Sequence, residues 1–128
     1  MSQNPSQFSF PDTVDADVRS YATFTHIVPL ISHLAGPFIL PLIAAIIMWQ
    51  IKKDQSPFLD DHGREATNFQ LSLLIYAGLV ITAAIITCGI GALLTIPLLI
   101  LNIVGCVLAA KAAHRGEYYR YPMSIRIV

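Results

Sequence analysis

Ala66–Ala110, ATNFQLSLLIYAGLVITAAIITCGIGALLTIPLLILNIVGCVLAA, and Ser20–Ile51, SYATFTHIVPLISHLAGPFILPLIAAIIMWQI, contain no Asp, Glu, Lys or Arg. Runs of this length without charge are what a bilayer selects, because a spanning helix needs about 20 consecutive apolar residues. The longer run is interrupted by Cys88-Gly89-Ile90-Gly91, which leaves Ala66–Thr87 and Ala92–Ala110 as two segments of spanning length joined by a very short turn. The shorter run would overshoot a hydrocarbon core of about 30 Å as one continuous helix. Gly36-Pro37 offers a break, since Gly accepts unusual dihedrals and Pro both ends one helix and opens the next.

The spacing therefore predicts an all-α fold. It is an integral membrane four-helix bundle of two helical hairpins, with helices at about 17–35, 37–51, 57–88 and 92–113. One long helix kinked at Pro29, or a hairpin that does not fully cross, remains an alternative for the first pair. Composition agrees with a lipid solvent. Of 128 residues 55% are hydrophobic and 12% charged, against about a quarter charged in ordinary soluble domains, and the mean hydropathy is +0.61. The length allows one domain, residues 17–128, behind a polar N-terminal tail, residues 1–16, expected to be disordered.

Basic residues fall in three places: Arg19, the Lys52-to-Arg64 loop and the Lys111-to-Arg126 segment. With four helices all three lie on one side, so both termini are expected in the cytoplasm and the turns at Gly36 and Gly89 opposite. Neither a secretory signal nor an Arg-rich transit peptide opens the sequence, which favours a prokaryotic inner membrane. A net charge of zero removes the footprint of nucleic-acid binding.

Lys52-Lys53-Asp54-Gln55-Ser56-Pro57 reads as a helix stop followed by a helix start, with Ser56 as N-cap and Pro57 at the first helical position. Asp60 and Arg64 are four apart in the favourable order, and Phe58, His62, Ala66, Phe69 and Leu73 follow one side. This start forms an interfacial helical extension, with Ser56, Pro57, Asp61, His62, Arg64, Glu65 and Asn68 on a candidate cytoplasmic face where His62 is taken as solvated. His114–Pro122, with three Tyr and two Arg, reads as a short anchor at the headgroup layer; Ser124–Val128 is open between a short strand and an interfacial stretch.

The string Lys52–Phe58, then Asp61–Ala66, Asn68-Phe69-Gln70 and the closing Gly116–Pro122, resembles a widespread family of small prokaryotic membrane proteins forming a domain of unknown function. That family is itself regarded as similar to the channel-forming Tic subunit of the chloroplast inner envelope. The resemblance covers about Val18–Val128 and implies a four-helix membrane protein with no established activity or catalytic residues.

Inside the apolar runs the polar candidates are few. His26 and Ser72 lie about 9 Å and Asn102 about 13 Å from the cytoplasmic helix ends at about 1.5 Å per residue, and they form a candidate intramembrane polar cluster. Glu65, Asn68, Ser72 and Tyr76 make a stripe expected to face helices one and four; separate local hydrogen bonds are the alternative. Gly105 and Ala109 form a small-xxx-small pair that admits a close helix from the same or another chain. Cys88 and Cys106 belong to different depths and are not expected to pair. No nucleophile motif, cofactor motif or metal-ligand set is legible, and the chain reads as a non-enzyme. The leading function is an accessory subunit of a membrane complex, whose partners are lipid and other membrane proteins. The alternative is a Tic-like pore or carrier subunit acting as an oligomer.

Overall fold

The computed structural model describes residues 14–36 and 39–128. Four α-helices follow in order: α1 (Ala16–Ala35), α2 (Leu40–Lys52), α3 (Pro57–Ile86) and α4 (Thr95–His114), with a 3-10 turn, Ile90–Leu94, ahead of α4. The described residues contain no strand. Two stretches, Pro57–Ile86 and Ile90–His114, are long and apolar enough to cross a membrane. At 13 residues α2 is short for a full crossing at about 1.5 Å per residue.

Pro37, where the second helix is expected to begin, lies outside the described residues, and α2 is helical from Leu40. Most of the expected polar tail also lies outside them. Val14, within the region expected to be disordered, packs against a buried cluster of Ala22, Phe58, Leu59 and Ala113. The fourth helix starts three residues later than expected. An α-helix running from Ala92 would set the Pro97 ring against the carbonyl of Leu93. Starting at Thr95 puts Pro97 in the first turn, where its missing N–H has no helical acceptor to lose.

All four charged helix ends meet at one end of the molecule. Tyr21 Oη donates to the Met48 carbonyl at 2.8 Å, closing α1 onto α2, and Trp49 Nε1 donates to Asp60 at 2.8 Å, closing α2 onto α3. Gly116, just past α4, sits beside Arg19 of α1. Ser56 caps α3 by accepting from the Phe58 N–H at 3.2 Å, with Pro57 following as the sequence predicts. Close packing uses small residues: Ala22, Ala45, Ala66, Ala109 and Ala113 are fully or almost fully buried, and Gly63 abuts Trp49. The outer faces of α3 and α4 stay apolar and open, from Leu79 to Ile86 and from Leu93 to Ile103. Exposed apolar surface of that extent fits hydrocarbon rather than water.

Both long helices end in the same paired hydrogen-bond pattern. After α3, Cys88 N–H reaches the Ile85 carbonyl and Gly89 N–H the Ala84 carbonyl; after α4, Gly116 reaches Ala113 and Glu117 reaches Ala112. The residue at the turn must be left-handed, and Gly116 (φ 76) suits it while Cys88 (φ 52) does not. We expect Cys88→Gly to stabilise the protein by about 1 kcal/mol and Gly116→Ala to cost at least about that. Thermal unfolding in detergent is the check, and an unchanged midpoint for both variants would contradict these backbone assignments.

Candidate functional site

The polar side chains within the helices converge on a buried chain of rings. His26 of α1 is entirely inaccessible, and so is His62 of α3. His62 Nε2 lies 2.9 Å from the Glu117 carbonyl oxygen, which only accepts, so that nitrogen carries the proton. In the neutral ring Nδ1 is then an acceptor, and His26 Nε2–H donates to it at 2.8 Å. His26 Nδ1 is left to accept from Tyr121 Oη–H at 2.7 Å. The chain thus has one direction, from the Tyr121 hydroxyl through two imidazoles to a backbone carbonyl.

Both imidazoles are fully buried. Burial pushes the Tyr121 phenol well above its usual value, with Cys106, Tyr119 and Glu65 adding to the effect, so it stays a donor. Phe69 stacks on the Tyr121 ring at 4.0 Å and 11°. Phe58 meets the edge of His62 at 4.4 Å.

From Tyr121 the polar contacts go deeper. Cys106 Sγ lies 3.9 Å from Tyr121 Oη and donates to Asn102 Oδ1 at 3.5 Å. Asn102 Nδ2 approaches the His33 ring at 3.3–3.4 Å, and His33 Nδ1 faces the Pro29 carbonyl at 3.1 Å. Beside Asn102 and His33 lies a small cavity of about 60 Å³, which Gln70 and Thr95 also line.

A second arrangement runs along α3. Residues 117–128 fold back over the helix as an irregular segment without strand, turning at Pro122-Met123, where Met123 is left-handed (φ 58). Glu65 accepts from the Tyr121 N–H at 3.3 Å, with Arg126 and Arg120 at 3.7 and 3.9 Å from its other oxygen. Asn68 Oδ1 accepts from the N–H groups of Ile127 (3.0 Å) and Val128 (2.9 Å). Ser72 Oγ accepts from the Ile125 N–H at 2.7 Å while donating to the Asn68 carbonyl at 2.7 Å, and Tyr76 donates to the Met123 carbonyl. Arg120 forks onto both oxygens of Asp61 at 2.6 and 3.0 Å.

The structure therefore regroups the expected residues. His26 and Asn102 belong to one network, but through Tyr121 and Cys106 rather than by contact with each other. Ser72 leaves the cluster for the tail, and the Glu65-to-Tyr76 stripe faces that tail instead of α1 and α4. The reason is that a segment outside helix and sheet has unpaired N–H groups, which polar side chains on α3 satisfy. His62, expected to be solvated, is a core residue, because it follows Phe58 on the buried side of α3. Of the face expected to be cytoplasmic, Asp61 and Arg64 stay at the surface, Arg64 paired to Asp60 at 3.0 Å. Gly105 and Ala109 are covered within this chain: Phe69 and Tyr121 abut Gly105, and Ala109 is fully buried. Both cysteines are free, Cys88 exposed and Cys106 buried.

Residues 17–128 match the model of the magnetosome magnetite crystal formation protein family. The chain belongs to that family. No curated protein and no solved structure matches it. The expected kinship with Tic finds no support in these comparisons. A family of magnetosome membrane proteins accords with the apolar helices of this member.

The ring chain has a direct test. Removing the Tyr121 hydroxyl while keeping the ring on Phe69 strands His26 Nδ1 without a donor. Tyr121→Phe should lower stability by about 1–3 kcal/mol. Tyr118→Phe, at an exposed ring, should change it by less than about 0.5 kcal/mol. Equal midpoints for the two variants in detergent unfolding would contradict the assignment.

Proposed function

We propose that this protein is a membrane-embedded accessory subunit of magnetosome formation that acts by binding other membrane components and carries out no catalysis of its own. The observation that carries this reading is the family match over residues 17–128. Its membrane form is a four-helix bundle of two hairpins, with the charged end toward the cytoplasm and the Cys88–Leu94 turn inside the magnetosome. Three features support that orientation. Lys52, Lys53, Lys111 and Arg115 gather at one end; α3 and α4 expose apolar faces between the ends; and the Cys88 turn carries no charge.

Engagement of the central polar groups supports a non-catalytic role. Both nitrogens of His26 and of His62 are bound by other groups of the protein, and the nearest thiol, Cys106, is buried against Gln70 and Asn102. A general base poised for substrate would need a free nitrogen at a reachable surface. What the cytoplasmic end offers instead is a surface of paired charges, Asp60 with Arg64 along α3 and Asp61 with Arg120 of the folded-back tail. Surfaces of this kind give an interaction its orientation and selectivity more than its affinity.

Isolated magnetosomes provide the experiment. An impermeant maleimide added outside should leave Cys88 unlabelled until the membrane is opened, whereas a Gln55→Cys variant lacking Cys88 should label at once. In the cell, loss of the protein should change the size or number of magnetite crystals. Absence of the protein from isolated magnetosomes, or unaltered crystals on its loss, would overturn the reading. So would ion flux through vesicles containing the purified protein alone, which would favour a pore.

A further inference from the structure

Between α1 and α4 at the charged end lies a groove of about 440 Å³ that neither the ring chain nor the tail uses. Its floor is Ile27 and Thr23 from α1 with Val107 and Ala110 from α4. The Thr23 hydroxyl is turned inward onto the Arg19 carbonyl at 2.8 Å, so the floor presents mainly carbon. Its upper rim is formed by Lys111, His114 and Arg115. Arg19 lies one turn above Thr23 on the same face of α1, against Gly116, and its buried Nε has no hydrogen-bond partner among the described residues.

The helix geometry fixes which end is which. α1 descends from the charged end and α4 rises to it, so Arg19-Thr23-Ile27 and Arg115-Lys111-Val107 are two antiparallel stripes. Each runs from basic to apolar in the same physical direction, at i, i+4 spacing. The sole acidic contact on this rim among the described residues is Glu117 to Arg115 at 3.3 Å. Both of those side chains are more than half exposed (60% and 58%), and an ion pair so solvated neutralises little.

We propose that this groove binds one anionic phospholipid, its phosphate against Lys111 and Arg115 with Arg19 behind, and one acyl chain along Ile27, Val107 and Ala110. Charge complementarity selects this occupant. A ligand here must have negative charge at the helix ends and alkyl carbon immediately below, in that order along the membrane normal. Basic pockets between helices on the cytoplasmic side are where acidic headgroups dock. A second copy of this chain would bring its own basic end to the same level and repel.

Reconstitution into phosphatidylcholine vesicles tests this, with spin-labelled phosphatidylglycerol or spin-labelled phosphatidylcholine as probe and the motionally restricted fraction as readout. The wild-type protein should restrain phosphatidylglycerol preferentially. A Lys111→Gln/Arg115→Gln variant should lose about tenfold in that preference, while the charge-keeping Lys111→Arg/Arg115→Lys variant should retain most of it. Lys52→Gln/Lys53→Gln removes the same charge from the same end, away from the groove, and should leave the preference nearly unchanged. No preference in the wild type would overturn the proposal. It would equally be overturned by an equal loss in the two charge-removing variants, which would mean a diffuse surface field and no site.

Discussion

An imidazole cannot sit among apolar helices with an empty nitrogen. Burying such a group without a hydrogen bond costs several kcal/mol in hydrocarbon, where no water is available to substitute. His26 meets this constraint by drawing in partners from two other parts of the chain, His62 at the start of α3 and Tyr121 beyond the end of α4. The arrangement of the rest follows from it. Tyr121 reaches His26 only if the chain reverses after α4, which the left-handed Gly116 allows. Once reversed, the irregular segment needs acceptors and donors for its backbone, and Glu65, Asn68, Ser72 and Tyr76 supply them.

The same economy of partners shapes the helix packing. α1 and α4 pack closely, with Ala22 and Ala113 in one buried cluster, where small side chains let backbones come together. α3 and α4 touch less, although a short turn joins them, and Phe69 and Tyr121 wedge the gap beside Gly105. The close contact leaves the basic groove at its edge. The loose one leaves an apolar hollow of about 580 Å³ between Leu79, Pro97, Leu101 and the tail. The two hollows therefore differ, that between α1 and α4 having a basic rim of Lys111, His114 and Arg115 and that between α3 and α4 being apolar.

Much of the helix layout was legible because it depends on local pattern. Absence of charge located the apolar runs, Ser56-Pro57 marked the start of α3, and Cys88–Gly91 marked its turn. The Phe58-His62-Ala66-Phe69-Leu73 stripe was also legible by spacing, and all five residues are buried. His62 belongs to that stripe and not to a solvated face: its apolar neighbours at i−4 and i+4, Phe58 and Ala66, are the signal for a core histidine. Tyr121 gave no such signal. Tyr beside Arg at the end of a membrane helix ordinarily marks the headgroup layer, and only a long-range reversal turns it inward. Similarly, the polar stripe on α3 announced that something polar would cover it, but not that the cover would be backbone. Pairing between residues 95 positions apart, such as His26 and Tyr121, leaves no periodic trace in a single sequence.

The orientation of the two rings is the most direct measure of this account. Nitrogen-15 NMR of the protein labelled at histidine reports which ring nitrogen of each imidazole carries hydrogen. At neutral pH His26 and His62, assigned by His26→Asn and His62→Asn variants, should both be neutral with hydrogen on Nε2 and a bare, hydrogen-bonded Nδ1. A scalar coupling across the His26 Nε2–H to His62 Nδ1 bond should accompany this. Hydrogen on Nδ1 of either ring, or a charged imidazolium in the folded protein at that pH, would contradict the chain on which the fold depends.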